Sequence, residues 1–186
     1  MLFKETRLKG SYVIDLEKRE DPRGFFARAW CKKEFEAKNL AADCVQANIS
    51  YNKKAGTLRG MHYQLPPHEE VKLVRCVRGA IYDVIVDLRS GSPTYCGWVG
   101  VKLSAQNYKM LYVPKGFAHG YVALEDDSDV FYLVSEFYTP NSERGVRYDD
   151  PAFGIEWPVP VSVVSEKDAG WPKFVKDGPE PERRRS

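Results

Sequence analysis

Short runs of β-branched and aromatic residues, separated by turn-forming residues, recur along most of the chain. Val, Ile, Tyr and Phe dominate these runs, and Gly, Pro, Asn or Asp stand between them. This spacing is typical of a β-sandwich or a β-barrel. We therefore predict a mainly β fold, with strands at residues 11–16, 43–51, 57–64, 71–78, 80–88, 98–103, 110–113, 120–124 and 130–137.

The segments between these runs predict how the strands are connected. Arg78-Gly79 indicates a tight connection and residues 90–93 a longer one, because Gly and Pro supply the backbone angles that turns need. Neighbouring strands are therefore expected to be antiparallel. Only residues 32–40 have a helical pattern. The polar run 177–186, rich in Pro, Glu and Arg, predicts a disordered tail after one domain at 1–176.

Size and charge exclude several classes of function. A chain of 186 residues with 43% hydrophobic residues fits one compact domain with a sizeable core. Lys and Arg number 28 against 26 Asp and Glu, so a net charge of +2 gives no overall attraction to nucleic acid or to anionic membranes. Any anionic ligand must be held by local cations, and neither nucleic acid nor membrane is an expected partner.

Apolar stretches and cysteines indicate the compartment. No apolar run approaches the about 20 residues that span a bilayer, and residues 1–10 lack the apolar core of a signal peptide. We expect a cytoplasmic protein. Cys31, Cys44, Cys76 and Cys96 form no C-x-x-C pair, which suggests neither a zinc site nor a disulfide framework. We expect all four to be reduced and buried.

One predicted strand has a polar face. Along it, apolar Val45, Ala47, Ile49 and Tyr51 alternate with polar Gln46, Asn48 and Ser50. A period of two places the amides and the hydroxyl together on one side of the sheet. That side could line a polar cavity, but alternation alone favours an outer surface that faces solvent.

The next strand carries Arg59, His62 and Gln64 among apolar residues. A single His in a strand is more often structural than catalytic. Strict alternation puts Arg59 on the face opposite His62, so both serve one site only through a bulge, a strand end or a neighbouring subunit. A second histidine, His119, lies beside glycines in residues 114–120, where we predict a turn that lets the backbone approach a ligand.

Four ordered motifs carry a family resemblance. They are LRGMHYQ at 58–64, VDLRSGSPTY at 86–95, VPKGFAHGY at 113–121 and DDPAFGIEWP at 149–158, and DPRGFF at 21–26 and QANIS at 46–50 also fit. Together they resemble the dTDP-4-dehydrorhamnose 3,5-epimerase family. The resemblance implies a cupin-type jelly-roll β-barrel, a homodimer, and no metal or organic cofactor. It also implies inversion of C3 and C5 in a 4-keto-6-deoxy sugar nucleotide.

The resemblance assigns a catalytic set to positions in this sequence. It implies His62 as the base, Asp168 as the carboxylate that supports its imidazole, and Tyr132 as the acid on the opposite face of the sugar. Lys72 matches the family lysine near the keto oxygen. The residue types suit the chemistry, because a C–H beside a ketone needs a base that titrates near neutral pH and a cation at the developing oxyanion.

Substrate-binding positions are also implied. Arg23 and Arg59 match the guanidinium groups for the diphosphate, a suitable pairing because their fork geometry fits phosphate oxygens. The remaining implied set comprises Phe26, Phe137 and Tyr138 for stacking, Gln46, Asn48 and Glu143 for polar recognition, and His119 either near the substrate or behind His62. The family commonly has an acidic residue where this chain has Arg28, and that reversal of charge leaves the nucleotide base open.

Three alternatives remain at this point. A metal-dependent cupin usually has a second His two residues after the first, where this chain has Gln64, and His68 follows Pro66-Pro67 in a predicted loop. A sugar-nucleotide binder without activity would not need the whole catalytic set. An epimerase acting at C3 alone, or on a CDP- or GDP-linked sugar, is compatible with the same residues.

Overall fold

The structure is a computed structural model that describes residues 1–176. It contains thirteen strands and two short helices. They are β1 (Leu2–Glu5), β2 (Tyr12–Asp15), β3 (Arg19–Asp21), β4 (Gly24–Phe26), α1 (Lys32–Glu36), β5 (Gln46–Asn52), β6 (Leu58–Gln64), β7 (Lys72–Arg78), β8 (Ala80–Asp87), β9 (Trp98–Ser104), β10 (Met110–Val113), β11 (Phe117–Ala123), β12 (Ser128–Val134), β13 (Glu143–Gly145) and α2 (Glu166–Ala169).

Two antiparallel sheets form the body of the protein. The larger has the strand order β1-β2-β10-β7-β12-β5 and the smaller β13-β6-β11-β8-β9, while β3 and β4 form a separate hairpin. Successive strands from β5 to β8 alternate between the two sheets, and so do successive strands from β9 to β13. The strands β8 and β9 are neighbours in the smaller sheet. The predicted mainly β, antiparallel jelly-roll barrel is confirmed.

The tight connection at Arg78-Gly79 has a different role from the one its sequence suggests. It joins β7 in the larger sheet to β8 in the smaller one, so the two strands are not paired with each other. Gly79 has φ +70, and a Cβ at this position would lie 2.3 Å from the Ser128 hydroxyl oxygen. Glycine is therefore required where the chain crosses between sheets. The longer connection after β8 does join an antiparallel pair, β8 and β9.

The main hydrophobic core lies between the two sheets. Val74 and Leu111 of the larger sheet are fully buried against Ile81 and Ile85 of the smaller one. A second cluster lies on the outer side of the larger sheet, where Phe35 of α1 covers β2 and β10. On the same outer side, Ile49 and Tyr51 of β5 and Val77 of β7 are exposed. The core thus fills one part of the barrel, and the polar side chains described below line another.

Several predicted elements differ in extent. The predicted helix 32–40 ends at Glu36, since the Phe35 carbonyl accepts hydrogen bonds from the amides of Lys38 and Leu40 and Asn39 has φ 56. His119 lies inside strand β11 and not in a turn, because residues 117–123 pair continuously with β8. The predicted turn is thus restricted to the residues before Phe117.

The expectation that all four cysteines are buried is wrong. Only Cys76 is buried, while Cys31 and Cys96 are half-buried and Cys44 is exposed; all four are free thiols. No helix within residues 1–176 is long and apolar enough to cross a membrane. The tail predicted at 177–186 lies outside the described residues.

Candidate active site

A polar cavity of about 270 Å³ lies between the two sheets. Its lining is Ser50, Arg59, His62, Lys72, His119, Tyr121, Tyr132, Ser165, Lys167 and Asp168. A second cavity of about 420 Å³ has Gln46, Asn48, Tyr63, Gln64, Glu70, Val134, Tyr138 and Glu143 in its wall and shares His62, Lys72, Tyr132 and Lys167 with the first. The two form one continuous site, in which the four predicted catalytic residues come together.

His62 is held by a carboxylate on a separate element. Its Nε2 lies 2.7 Å from Oδ1 of Asp168, and the histidine side chain is 28% exposed against 6% for the aspartate. Asp168 is ionised at neutral pH and can only accept, so His62 Nε2 carries the proton of this hydrogen bond. The lone pair of Nδ1 is then available to take a proton from a ligand.

The helix α2 fixes Asp168. Ser165 caps it, accepting a hydrogen bond at its hydroxyl from the Asp168 amide, and the Gly60 amide donates to Asp168 Oδ2 at 3.2 Å. Burial by itself would raise the pKa of Asp168, but the hydrogen bonds and charge of His62 and the Gly60 amide lower it below its ordinary value. The carboxylate is thus a stable anion beside the imidazole.

A β-bulge brings Arg59 to the same cavity as His62. On β11, His119 pairs with His62 and Tyr121 with Arg59, so two residues of β6 oppose one of β11. The extra residue reverses the alternation that would separate Arg59 from His62. Gly60 has φ +132, and a Cβ there would lie 2.5 Å from the Gly120 Cα. Of the three routes left open by the sequence, the structure has the bulge.

The opposite wall of the cavity comes from the larger sheet. Lys72 of β7 and Tyr132 of β12 stand there, whereas His62 stands on β6 of the smaller sheet. Ser50 of β5 belongs to the same wall and accepts a hydrogen bond from the Tyr121 hydroxyl at 2.9 Å. A ligand in this space is therefore flanked by His62 on one side and by Tyr132 on the other.

The polar face of β5 points into the site, and the solvent-facing interpretation favoured by alternation is wrong. Gln46, Asn48 and Ser50 line the two cavities. The apolar side of the strand is outside instead, with Ile49 72% and Tyr51 48% exposed. The strand lies at the edge of the larger sheet, with its polar face inside the protein and its apolar face exposed.

Each lysine of the site is paired with a carboxylate. Lys72 Nζ lies 2.7 Å from Glu70 Oε1, and Lys167 is ion-paired with Glu143. Burial alone would raise the pKa of Glu143, but the Lys167 hydrogen bond and charge lower it. Arg59 differs, because its recorded partners within residues 1–176 are neutral: its Nε donates to the Asn52 side-chain oxygen and its NH2 to the Tyr51 carbonyl.

The second histidine of the site is also paired. His119 Nε2 lies 2.7 Å from Oδ1 of Asp83 on the adjacent strand β8. Its side chain is 9% exposed and that of Asp83 is fully buried. His119 therefore reaches the cavity wall without being freely accessible.

Side-chain amides and the Tyr138 ring join the charged groups in the wall of the second cavity. The Gln46 side-chain oxygen accepts from the Tyr138 amide, and the Tyr138 hydroxyl donates to Glu143 Oε2 at 3.0 Å. Gln64 donates to the carbonyls of His68 and Phe137, so the position that a metal cupin gives to a ligand is engaged in loop contacts here. Within residues 1–176, no three His, Cys, Asp or Glu side chains are grouped as a metal site.

Four residues considered from the sequence lie elsewhere. Arg23, 89% exposed at its side chain, pairs with Asp21 in the β3–β4 hairpin, and Phe26 on the same hairpin is 66% exposed. Arg28 pairs with Glu34 beside α1. Phe137 is 60% exposed and contributes its carbonyl, not its ring, to the contacts of Gln64. The roles implied for Arg23, Phe26 and Phe137 stay predictions.

The structure adds residues that the sequence analysis missed. Glu70, Tyr121 and Lys167 line the site. Two of them had a usable signal, since Glu70 is two residues before Lys72 and Tyr121 two residues after His119, on the same strand face. Lys167 directly precedes Asp168, but nothing in its sequence context separates it from a surface lysine.

Fold and site together define a jelly-roll enzyme equipped for proton transfer by a histidine–carboxylate pair. The model of the dTDP-4-dehydrorhamnose 3,5-epimerase family matches residues 5–176. The enzyme of that name from Shigella flexneri is 47% identical over 156 residues, which cover 83% of this chain and 86% of the relative. The chain belongs to the dTDP-4-dehydrorhamnose 3,5-epimerase family and is an isomerase.

Solved structures give the same result. The dTDP-4-dehydrorhamnose 3,5-epimerase of Bacillus anthracis, with TDP and diphosphate bound, is 41% identical and has a TM-score of 0.89 over 93% of this chain and 99% of that chain. A 3′-monoepimerase from Streptomyces bikiniensis in complex with dTDP-quinovose is 32% identical, with a TM-score of 0.83 over 90% of this chain and 85% of that chain. Enzymes that differ in the number of inverted centres therefore share this fold.

Proposed function

We propose that the protein inverts C3 and C5 of a dTDP-linked 4-keto-6-deoxyhexose, without metal or organic cofactor, as a step in deoxysugar biosynthesis. One observation carries the proposal. His62, paired with Asp168 at 2.7 Å, shares a cavity with Lys72 and Tyr132 of the opposite sheet. This arrangement provides a base, a cation and an acid around one ligand.

Proton removal is assigned to His62. Because Nε2 donates to Asp168, Nδ1 takes the proton from the carbon beside the ketone, and the carboxylate stabilises the imidazolium that forms. The electron pair of the C–H bond moves onto the keto oxygen as an enolate. Positioned general bases of this kind contribute on the order of 10²- to 10⁴-fold.

Lys72 stabilises the enolate. Its side chain is only 12% exposed, so its charge acts with little screening by water. A fixed cation at the developing oxyanion stabilises the transition state more than the ketone, which lowers the barrier.

Tyr132 returns a proton to the carbon from the other side. It stands on the larger sheet, whereas His62 stands on the smaller one. Delivery from opposite walls inverts the stereocentre, because the proton leaves one face of the sugar ring and arrives on the other.

The charge distribution of the site indicates where the diphosphate and the nucleoside of the substrate bind. Arg59, the guanidinium with neutral partners, is suited to the diphosphate, and its fork can bind two phosphate oxygens. The second cavity, with Gln46, Asn48 and the Tyr138 ring, is suited to the nucleoside. The dTDP and dTDP-sugar complexes of the related enzymes support thymidine as the base.

The exposed side of β5 supports the proposal that the protein is a homodimer. Ile49, Tyr51 and Val77 are 72%, 48% and 44% exposed on the part of the larger sheet that α1 leaves uncovered. Apolar side chains in such a patch indicate a surface that another chain covers. Sedimentation of the wild type as a dimer and of Ile49→Lys as a monomer would support this assignment, and a monomeric wild type would refute it.

Solvent-deuterium exchange tests the reaction. dTDP-, CDP- and GDP-linked 4-keto-6-deoxy sugars are incubated with the protein in deuterated buffer and followed by NMR. We expect deuterium at C3 and C5 of the dTDP sugar, with inversion at both carbons. Tyr132→Phe should retain exchange but lose full inversion. Absence of exchange on every sugar would favour a binder without activity.

The same spectra separate a double from a single epimerase. A relative from Streptomyces niveus, 38% identical over 169 residues, is named dTDP-4-dehydrorhamnose 3-epimerase. Deuterium confined to C3 would assign this chain to that activity.

A further inference from the structure

A carboxylate on the segment before β7 contacts the lysine assigned to the enolate. Glu70 Oε1 lies 2.7 Å from Lys72 Nζ, and both side chains are 12% exposed. We propose that Glu70 is the positioning residue of Lys72, holding its ammonium group where the keto oxygen of the substrate becomes negative. This inference rests on the role proposed for Lys72.

The backbone fixes the relation between the two side chains. In extended backbone, residues two apart point to the same side, so Glu70 and Lys72 both face the site. Val71, which points the other way, is buried in the outer cluster. Its amide donates to the Ser135 hydroxyl at 2.8 Å, and its carbonyl accepts from the Ser135 amide at 3.0 Å. The segment that carries Glu70 is therefore held by packing of Val71 on its outer side and by two hydrogen bonds to Ser135.

A lysine needs such a partner to act as a fixed charge. Its four-carbon stem has many rotamers, and the ammonium group has no directional preference of its own. Stabilisation of an oxyanion depends on charges that are in place before the reaction starts. An ion pair at the edge of the cavity restricts the ammonium to one region, while its remaining N–H bonds can point at the ligand.

The location of the pair separates this role from direct contact with the reacting carbon atoms. Glu70 lines only the second of the two cavities, whereas Lys72 lines both. Glu70 is thus absent from the lining of the first cavity, where His62, Lys72, Tyr132 and Asp168 meet. Glu70 acts through Lys72 and does not touch the reacting atoms.

A set of variants tests the inference. Glu70→Ala should lower kcat and the rate of C–H exchange by roughly ten- to hundredfold, with KM changed less than about threefold, because a displaced group costs transition-state stabilisation. Glu70→Gln keeps an oxygen that accepts from the ammonium and should retain at least about a third of wild-type kcat. The matched control is Glu69→Ala, an adjacent carboxylate that should leave kcat unchanged.

A double-mutant cycle ties the effect to Lys72. In the Lys72→Met background, Glu70→Ala should have no further effect on kcat. An equal loss in that background, a loss confined to KM, or an unchanged kcat in Glu70→Ala would each overturn the inference. Circular dichroism and thermal unfolding of every variant identify any loss of kcat that comes from misfolding. If Glu70→Ala misfolds, Glu70→Gln decides the question, because a folded Glu70→Gln with less than about a third of wild-type kcat would overturn the inference.

A measurement without substrate keeps this inference separate from the reaction. In heteronuclear NMR of the free protein, the Lys72 ammonium should be visible in the wild type and in Glu70→Gln and be lost or shifted in Glu70→Ala. That result without exchange on any sugar would support positioning and refute the proposed function. An ammonium signal that Glu70→Ala leaves unchanged would refute positioning whatever the activity.

Discussion

Two histidine–carboxylate pairs face the same cavity from neighbouring strands. His62 and His119 are direct cross-strand partners on β6 and β11, and each has its Nε2 2.7 Å from an aspartate oxygen. Their surroundings differ. The His62 side chain is 28% exposed and that of His119 only 9%. Both oxygens of Asp168 have partners, whereas Oδ2 of Asp83 is buried without one among the described residues.

This difference supports different roles for the two histidines, with His62 as the proposed proton carrier and His119 as a fixed group. A base must meet the substrate and exchange its proton with water between turnovers, so it needs access and a carboxylate stable in both states of the ring. His62 with Asp168 meets both conditions. His119 with Asp83 is enclosed, and a buried oxygen without a partner makes that pair dependent on the histidine. We therefore propose that His119 is a fixed part of the cavity wall on the side that faces the substrate.

Removing the exposed histidine should have the largest effect. His62→Ala is expected to lower kcat by about 10³-fold, equivalent to about 4 kcal/mol of barrier, with little change in stability because Asp168 keeps the Gly60 amide. Exchange NMR and thermal unfolding measure the two quantities. Added imidazole should restore part of the activity, since the site is open. Wild-type turnover in His62→Ala would remove it as the base.

Removing the enclosed histidine should instead destabilise the fold. His119→Ala leaves Asp83 buried with no partner among the described residues, which is expected to cost about 3 kcal/mol of unfolding free energy. Urea unfolding measures the loss, and the double variant His119→Ala/Asp83→Ala should recover part of it. Imidazole should not restore activity here. A stability loss equal to that of His62→Ala would erase the distinction between the pairs.

The sequence predicted the fold better at its long strands than at its short ones. Runs rich in Val and Ile, such as β7 and β8, were located to within a residue or two, because their burial requires that composition. The strands β1, β3, β4 and β13 were missed, since runs of three or four residues carry too little periodic pattern. Assignment of strands to sheets was not accessible either, as Arg78-Gly79 shows, because a turn does not report which sheet follows.

The candidate site was predicted mainly through the resemblance. Periodicity alone favoured a structural His62 and an outward Gln46, Asn48 and Ser50. Periodicity does not show what each face of a strand packs against. In the structure, a cavity makes the polar face of β5 internal, and a bulge at Gly60 places Arg59 on the same side as His62. The ion pair between Lys167 and Glu143 was equally hidden, because nothing in the sequence around Lys167 distinguishes it from a solvated lysine.

A third buried carboxylate completes the comparison of Asp168 and Asp83. Asp87, at the end of β8, is fully buried like Asp83 but accepts hydrogen bonds from Arg89, Ser92 and Thr94 at both oxygens. Burial acts to raise its pKa, yet these donors lower it to about 2. The Arg89 guanidinium also lies 4.5 Å from the centre of the Phe117 ring. This network holds the connection between β8 and β9 and does not touch the cavity.

Asp87 should therefore affect stability in acid and leave catalysis almost unchanged. Its pKa falls from 3.8 to about 2 on folding, so its stabilisation is complete above pH 3.8 and is lost as the pH falls through about 2. The difference corresponds to about 2 kcal/mol. Urea unfolding at about pH 6, pH 4 and pH 3 should show a deficit for Asp87→Asn that shrinks with falling pH. A deficit independent of pH would mean that packing, and not the charge of Asp87, stabilises the loop; a loss of kcat beyond about threefold would place this carboxylate with Asp168 as a residue of the site.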